Sequence, residues 1–451
     1  MVDRISQLPD GVLASILSRL SMREAAATSV MSRRWKNLWT FITRLDFDAS
    51  KTLYELDRRL CEMQKSKYTH WVNQVLDLHQ SPIISMFKIC FPLNQSSKSD
   101  IDRWLEIVMG KKMKVQRFEL DLKQNLESSF QPSDCYAFPY EVLVSPRHFG
   151  FFKCLRYLCF KYVNVNEQVL EYFLSNCPLE RFCVEYSPST DLVNLTVTSP
   201  CLQLKYFEIC CCWKLENIGI FAPNLVSFKY RGRSQINLPF NNLNNFPSLV
   251  EAYIGGMSYG FEGLFCGTVS YAFRQLSNYL VQLESLTLEA NACEANLMFN
   301  GPLELTQLKQ LTNLKRLVLI VRVNDYNNLL GFTSLIRASP SLHEFVLQLR
   351  WSESGIQIEM QREVRMAPRC PHKHLKVVEL IGFVGHALDV ELAEYLLEKA
   401  INLEKITINT CHPILIGTPF EFDESEERRA ARDRAMELRT KLRQGAELFV
   451  L

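Results

Sequence analysis

Several features that would fix a protein's class at once are scarce in this sequence. No stretch of its 451 residues reaches the roughly 18 consecutive apolar residues of a membrane-spanning helix, so no helical anchor is expected. Net charge is almost absent: +2, which gives no global electrostatic reason to seek nucleic acid or an anionic membrane. Paired Cys-x-x-Cys motifs are missing, and with them the donor set of a zinc platform. The glycines of "YIGGMSYGFEGLFCG" lack the Gly-Lys-Ser/Thr ending of a phosphate loop, and no Gly-x-Gly-x-x-Gly occurs. These absences argue against a catalyst, and no cofactor or metal is expected. An unbroken apolar leader is lacking too, because Asp3, Arg4, Asp10 and Arg19 interrupt the first residues. Fifteen cysteines, odd in number and scattered, then point to a reducing compartment: nucleus, cytoplasm or both.

What is present is ordinary globular composition, 47% hydrophobic and 22% charged, in a chain too long for one compact core. It must hold several domains or an elongated repeat array, and periodicity has to decide.

Near the start stands "LPDGVLASILSRL", in which Leu13, Ile16, Leu17 and Leu20 fall at i, i+3, i+4 and i+7 on one helical face. Pro9 suits the first turn, where its missing N–H costs nothing. Ser21 and Glu24 are placed to cap a second helix reciprocally. A third helix is expected to begin near Ser32, with Met31, Trp35, Leu38, Trp39 and Ile42 along one stripe. A unit this small rarely stabilises itself without a partner. Its spare apolar surface either covers the end of a larger domain or meets another protein. Arg33, Arg34 and Lys36 beside two tryptophans also suggest a three-helix DNA reader, but no basic arm or second basic helix accompanies them.

Beyond the head, the pattern Leu-x-x-apolar-x-apolar recurs. It begins at Leu155, Leu179, Leu204, Leu225, Leu249, Leu283, Leu314, Leu342, Leu375 and Leu403, at intervals of 21 to 34 residues, with an earlier copy, "VQRFEL", at Val115. One such hexamer is weak evidence in an apolar chain. Ten ordered copies, several introduced by a proline such as Pro178, Pro223, Pro247 or Pro340, make a degenerate leucine-rich repeat. The leucine and the two following apolar residues point inward and the residues between them outward, so stacked repeats share one core. A curved parallel β-ladder is expected, with outer helices where the interval is long, as in "NEQVLEYFLSN" and "DVELAEYLLEKA".

Two segments resemble a known family. The residues "LPDGVLASILSRLSMREAAATSVMSRRWKNLW" are similar to the F-box in its plant form. The tail, "HLKVVELIGFVGHALDVELAEYLLEKAINLEKITINTC" with a charged helix and "GAELFVL", resembles the FBD region of plant F-box/leucine-rich-repeat proteins. In that helix Asp423, Glu424, Glu426 and Glu427 precede Arg434, Arg439, Lys441 and Arg443, complementing its dipole, while Ala431, Ala435, Leu438 and Leu442 form its apolar stripe. The fold class is thus α/β: a three-helix F-box (1–47), a connecting and N-terminal repeat region (48–114), a solenoid (115–365) and an FBD region closing it (366–451).

The resemblance implies the substrate-recognition subunit of a Skp-cullin-F-box ubiquitin ligase. Such a subunit docks on a Skp-type adaptor, reaches the cullin through it, and holds an unknown protein target. Leu8, Pro9, Leu13, Ile16, Leu17, Leu20, Val30, Trp35 and Leu38 match the family's apolar positions, some facing the adaptor and some filling the head's core. Leu17→Asp or Trp35→Ala is expected to abolish adaptor capture while the repeats stay folded. The alternative is a non-degradative scaffold or small-ligand co-receptor.

For the target, the outward strand positions run Tyr157, Cys159; Arg181, Cys183; Tyr206, Glu208; Ser227, Lys229; Glu251, Tyr253; Ser285, Thr287; Arg316, Val318; Glu344, Val346; Val377, Glu379; and Lys405, Thr407. Arg181, Tyr206, Tyr253 and Arg316 are the candidate contacts, because tyrosine and arginine most often anchor interfaces. The loop 255–267 is a second candidate. Two metal candidates are weaker. "CCC" (Cys210, Cys211, Cys212) alternates faces, and "CPHKH" offers Cys370, His372 and His374 without a partner motif.

Overall fold

The computed structural model describes residues 5–32, 34–49, 58–110, 115–123, 131–145, 152–197, 203–233, 236–242, 244–256, 268–291, 294, 311–323, 329–351 and 371–451. They divide into two units, residues 1–225 and 226–451.

The first unit opens with three short helical segments. Helix Asp10–Leu17 follows Pro9, whose carbonyl accepts from the amides of Val12 and Leu13. Helix Met22–Ala27 carries the expected reciprocal cap: the Glu24 amide donates to Ser21 Oγ at 3.3 Å and the Ser21 amide to Glu24 Oε2 at 2.9 Å. Ser21→Ala is expected to cost the head about 1 kcal/mol, read as faster amide exchange across Met22–Ala27. Unchanged exchange would mean that packing alone holds this helix. The third segment is a 3-10 helix over Trp35–Phe41 rather than an α-helix from Ser32. Three residues per turn place Trp35 and Leu38 directly above one another, and both are buried. Met31, expected on the same stripe, is exposed. Arg34 ties this segment to the first helix, with Nη2 2.7 Å from Asp10 Oδ1 and a hydrogen bond to the Leu8 carbonyl.

Six parallel strands follow, paired in order and in register: Arg44–Asp48, Met86–Cys90, Arg117–Asp121, Tyr157–Lys161, Arg181–Glu185 and Tyr206–Cys210. The last three begin two residues after Leu155, Leu179 and Leu204, where the repeat puts them. The first two extend the ladder back beyond Val115, and Arg44–Asp48 crosses the boundary drawn after residue 47 between the head and the connecting region. Their signal was present: "ITRLDF" and "ISMFKI" are the same repeat with Ile42 and Ile84 in place of leucine.

Inward positions form continuous rows. Leu45, Phe87, Phe118, Leu158, Phe182 and Phe207 make one, and all are buried. The Phe118 ring lies 5.8 Å from Phe87, 5.7 Å from Phe152 and 6.1 Å from Phe160. Helix Glu167–Asn176 forms as spaced, capped by Asn166, whose side chain accepts from the Val169 amide at 3.0 Å. The next repeats are too short to return through a helix. They use the short parallel strands Asn194–Val197 and Asn217–Ile220 instead.

Tyr162, Tyr186 and Cys211, each one residue past a strand, adopt φ of 56°, 56° and 57°. Non-glycine residues rarely do so. The left-handed turn lets the chain leave the sheet while the Tyr162 and Tyr186 amides still donate to Glu185 and Cys210 carbonyls at 2.9 and 2.8 Å.

In the second unit eight parallel strands pair in order: Ser227–Gly232, Glu251–Gly256, Ser285–Asn291, Arg316–Val323, Glu344–Trp351, Val377–Ile381, Lys405–Asn409 and Glu447–Val450. Seven of them start two residues after a repeat leucine. Gly382 exits its strand at φ +77°, and a Cβ there would stand 2.3 Å from the Leu349 carbonyl oxygen, so only glycine fits.

Helix Ala387–Lys399 occupies the outer side, as its spacing predicts. The charged helix Glu426–Glu437 buries Ala431 and Ala435. The following turn lays Lys441 Nζ 2.5 Å from Glu394 and donates Arg443 Nη2 to the Glu398 carbonyl at 2.6 Å. Gly445, at φ +95°, then turns the chain into Glu447–Val450, which completes the ladder beside Lys405–Asn409. Among the described residues no helix is long and apolar enough to cross a membrane.

Candidate functional site

Burial divides the head's apolar residues cleanly. Leu13 and Leu17 are 0% exposed, and Trp35 and Leu38 are buried with them. They are the head's own core. Ile16 (42%), Leu20 (41%) and Val30 (90%) face outward, together with Val12, Met31 and Phe41. Pro9 is exposed and Leu8 half-buried. The helix therefore spends one side on its own stability and leaves a second apolar side without cover among the described residues. Scattered apolar side chains at a surface are unremarkable, but seven on one small helical head, with Ile5 included, are not.

The inner face of the six-stranded ladder is charged and ordered. Its first row holds Arg117, Tyr157, Arg181 and Tyr206 in register. The Arg117 guanidinium lies 4.0 Å from the Tyr157 ring centre and that of Arg181 4.3 Å from the Tyr206 ring. Each such pair contributes about 0.5–1 kcal/mol and fixes two otherwise mobile side chains. Deeper rows are ion-paired across strands, Lys88 with Asp48 at 2.6 Å and Lys161 with Asp121 and Glu185 at 3.5 Å each, while Arg117 meets Glu119 of its own strand at 2.8 Å. Burial raises the Asp121 carboxyl above its ordinary range although Lys161 pulls it down.

The structure thus brings Arg181 and Tyr206 together. Tyr253 and Arg316, in the other unit, have different surroundings. Tyr253 donates to Glu289, which also holds Arg231 at 2.8 Å, and lies under Lys229 Nζ at 5.1 Å. Arg316 is 3.0 Å from Glu344.

Several outward positions are not the solvated surface that alternation alone predicts. Cys159 and Cys183, side by side across two strands, are buried. Val318, Ile320, Val346 and Ile381 form a buried cluster with Tyr253 packed against it. Parallel strands align like side chains, so adjacent aliphatics gain more from each other than from water. Of the candidate loop, residues 257–267 lie outside the described residues. They include most of "GMSYG" (256–260), which has the Gly-x-Ser-x-Gly spelling of a nucleophile elbow.

Among the described residues neither metal candidate converges. Cys210 and Cys212 are buried, and burial pushes the Cys212 thiol up to about 12. Cys370 lies outside the described residues. His372 is turned inward, its Nε2 3.2 Å from the Tyr395 hydroxyl, while His374 is exposed.

Burial, helped by the Arg337 charge, holds the His372 imidazole down to about 4 from an ordinary value near 6.5. The neutral form is favoured on folding, so its stabilisation is complete above about pH 6.5. It fades as pH falls towards 4, by up to about 3 kcal/mol at about 1.4 kcal/mol per unit. Asp389 opposes this. Burial lifts its carboxyl to about 6, so its ionisation weakens the fold between about pH 4 and 6. His372→Phe should therefore gain in urea midpoint relative to the unmodified chain as pH drops from 6.5 to 4. A constant difference between the two would rule the titration out.

The family comparisons agree with this architecture. The family model described as F-box domain matches residues 5–44, and that described as At1g61320/AtMIF1, LRR domain, matches residues 75–437. The chain is an F-box/leucine-rich-repeat protein. Its similarity to FBD-associated F-box protein At4g10400 of Arabidopsis thaliana is 26% identity over 91% of this chain and 93% of that protein. F-box/LRR-repeat protein At2g42730 of the same plant is 25% identical over 90% and 91% of the two chains, and F-box/LRR-repeat protein At3g58900 is 31% identical over 56% and 79%. The F-box match ends at the first ladder strand. The outward Ile16, Leu20 and Val30 thus belong to the F-box itself.

Proposed function

We propose that this F-box/leucine-rich-repeat protein is the non-catalytic substrate-recognition subunit of a ubiquitin ligase assembled on a Skp-type adaptor and a cullin. The observation that carries this reading is the second apolar side of the head, with Ile16, Leu20 and Val30 outward while Leu13 and Leu17 satisfy the core. The head fills its core with its own side chains and the ladder strands bury their own inward rows, so neither accounts for the head's outer side. The adaptor takes that outer side. The inner face of the repeats, with the ordered Arg181–Tyr206 pair, takes the target.

The contribution to ubiquitin transfer is proximity. Holding a target lysine near a charged conjugating enzyme raises its effective concentration without any reacting group from this chain. The reading carries a nuclear or cytoplasmic location with it. Capture of a purified Skp-type adaptor by the intact chain is the test, and failure to bind would overturn it. Proximity labelling with and without proteasome inhibition then identifies targets. Neighbours whose abundance ignores inhibition would favour the non-degradative scaffold.

A further inference from the structure

A cavity of about 230 Å³ lies in the second unit, between the turn that follows helix Thr333–Arg337 and the segment entering strand Val377–Ile381. Its floor is apolar, with buried Ile336, Leu342 and Leu375, and its rim is cationic, with Arg337, Lys373 and His374. Among the described residues that line it, none is acidic.

Elsewhere along this flank the repeats neutralise their cations. Lys315 meets Glu284 at 3.0 Å and Lys376 meets Glu404 at 2.8 Å. The cavity departs from that habit: among the described residues Arg337 and Lys373 form no such ion pair, and both line one small space.

We propose that this cavity binds a phosphate monoester. Charge decides for phosphate over a carboxylate, because two permanent cations and an imidazole complement a dianion better than a monoanion. A guanidinium also offers the forked donors that phosphate oxygens accept. Size excludes larger anions: the volume is below the roughly 300–1,000 Å³ of pockets for drug-sized ligands. One phosphate and a short carbon body fill it, with the phosphate at the rim and the ester carbons on the aliphatic floor. The site is separate from the head and from the Arg181–Tyr206 pair, so it stands or falls independently of adaptor capture.

Calorimetric titration of the full chain with phenyl phosphate tests the assignment. Saturable binding is expected, competed by inorganic phosphate and weakened at least tenfold in Arg337→Glu/Lys373→Glu. Lys373 is exposed, so Lys373→Gln alone gives a readout that does not depend on the double variant folding, and several-fold weakening is expected there. Equal affinity in the variants, or no saturable binding by the unmodified chain, would overturn the proposal. A phosphotyrosyl pentapeptide that binds more tightly than phenyl phosphate assigns the ligand to a modified protein. A peptide that is excluded while phenyl phosphate binds assigns it to a free small molecule. Either outcome keeps the phosphate chemistry.

Discussion

Ile16→Asp together with Val30→Asp is expected to weaken capture of a Skp-type adaptor by more than about a hundredfold while the head stays folded and the thermal midpoint of the chain shifts only slightly. Val30 is almost fully exposed and Ile16 nearly half exposed, so a carboxylate at either position meets water in the free protein and costs the fold little, about 1 kcal/mol at Ile16 in the last turn of its helix. In the complex it would be desolvated against an apolar partner. Truncating a central interface residue costs about 2 kcal/mol or more, and two such losses at 1.4 kcal/mol per factor of ten give the stated scale.

Leu17→Asp is the informative contrast. Leu17 is fully buried, so the substitution forces an unpaired charge into the head and costs several kcal/mol. Trp35→Ala opens a cavity in the same place. Those two variants lose adaptor binding by unfolding the head, and they say nothing about the interface. Calorimetry and amide exchange on all three variants separate the cases. Should the Ile16/Val30 variant bind as tightly as the parent chain, the outward face is not the docking surface.

Phe118→Ala is expected to destabilise the first unit by about 3–5 kcal/mol. Phe118 is fully buried at the centre of an inward row, with the rings of Phe87, Phe152 and Phe160 within about 6 Å. In a stacked array each repeat is stable only through its neighbours, so the defect spreads along the ladder. Urea unfolding should show a clear loss in midpoint, and amide exchange should quicken in Met86–Cys90 and Tyr157–Lys161, the strands on either side. A loss below about 1 kcal/mol would mean that the site collapses without strain.

Most of the ladder was legible because strand periodicity is local. A leucine followed by apolar residues at fixed spacing reads directly as one inward-facing strand, and ten of the strands begin two residues after such a leucine. The strands Arg44–Asp48 and Met86–Cys90 were missed for a narrow reason, isoleucine where leucine was sought. The 3-10 form of Trp35–Phe41 was less accessible, since apolar residues three and four apart fit either helix until packing selects one. The left-handed Tyr162, Tyr186 and Cys211 gave no signal, because glycine is the residue that advertises such a turn. The inner face was misread at Cys159, Cys183, Val318 and Val346, where outward in the pleat proved not to mean exposed.

By itself the sequence determined the two-part plan: an amphipathic head, then a repeat whose period fixes the strands, their parallel order and their register. Those follow from spacing along the chain. Only the tertiary structure decided which of Leu13, Ile16, Leu17 and Leu20 serve the core and which are left for a partner. All four lie within one apolar stripe, and the packing of the Trp35–Phe41 segment against the first helix is a contact between segments that no local pattern records. It likewise decided that Arg181 meets Tyr206, and that Arg337 and Lys373 share a cavity, since each pair joins residues from different repeats.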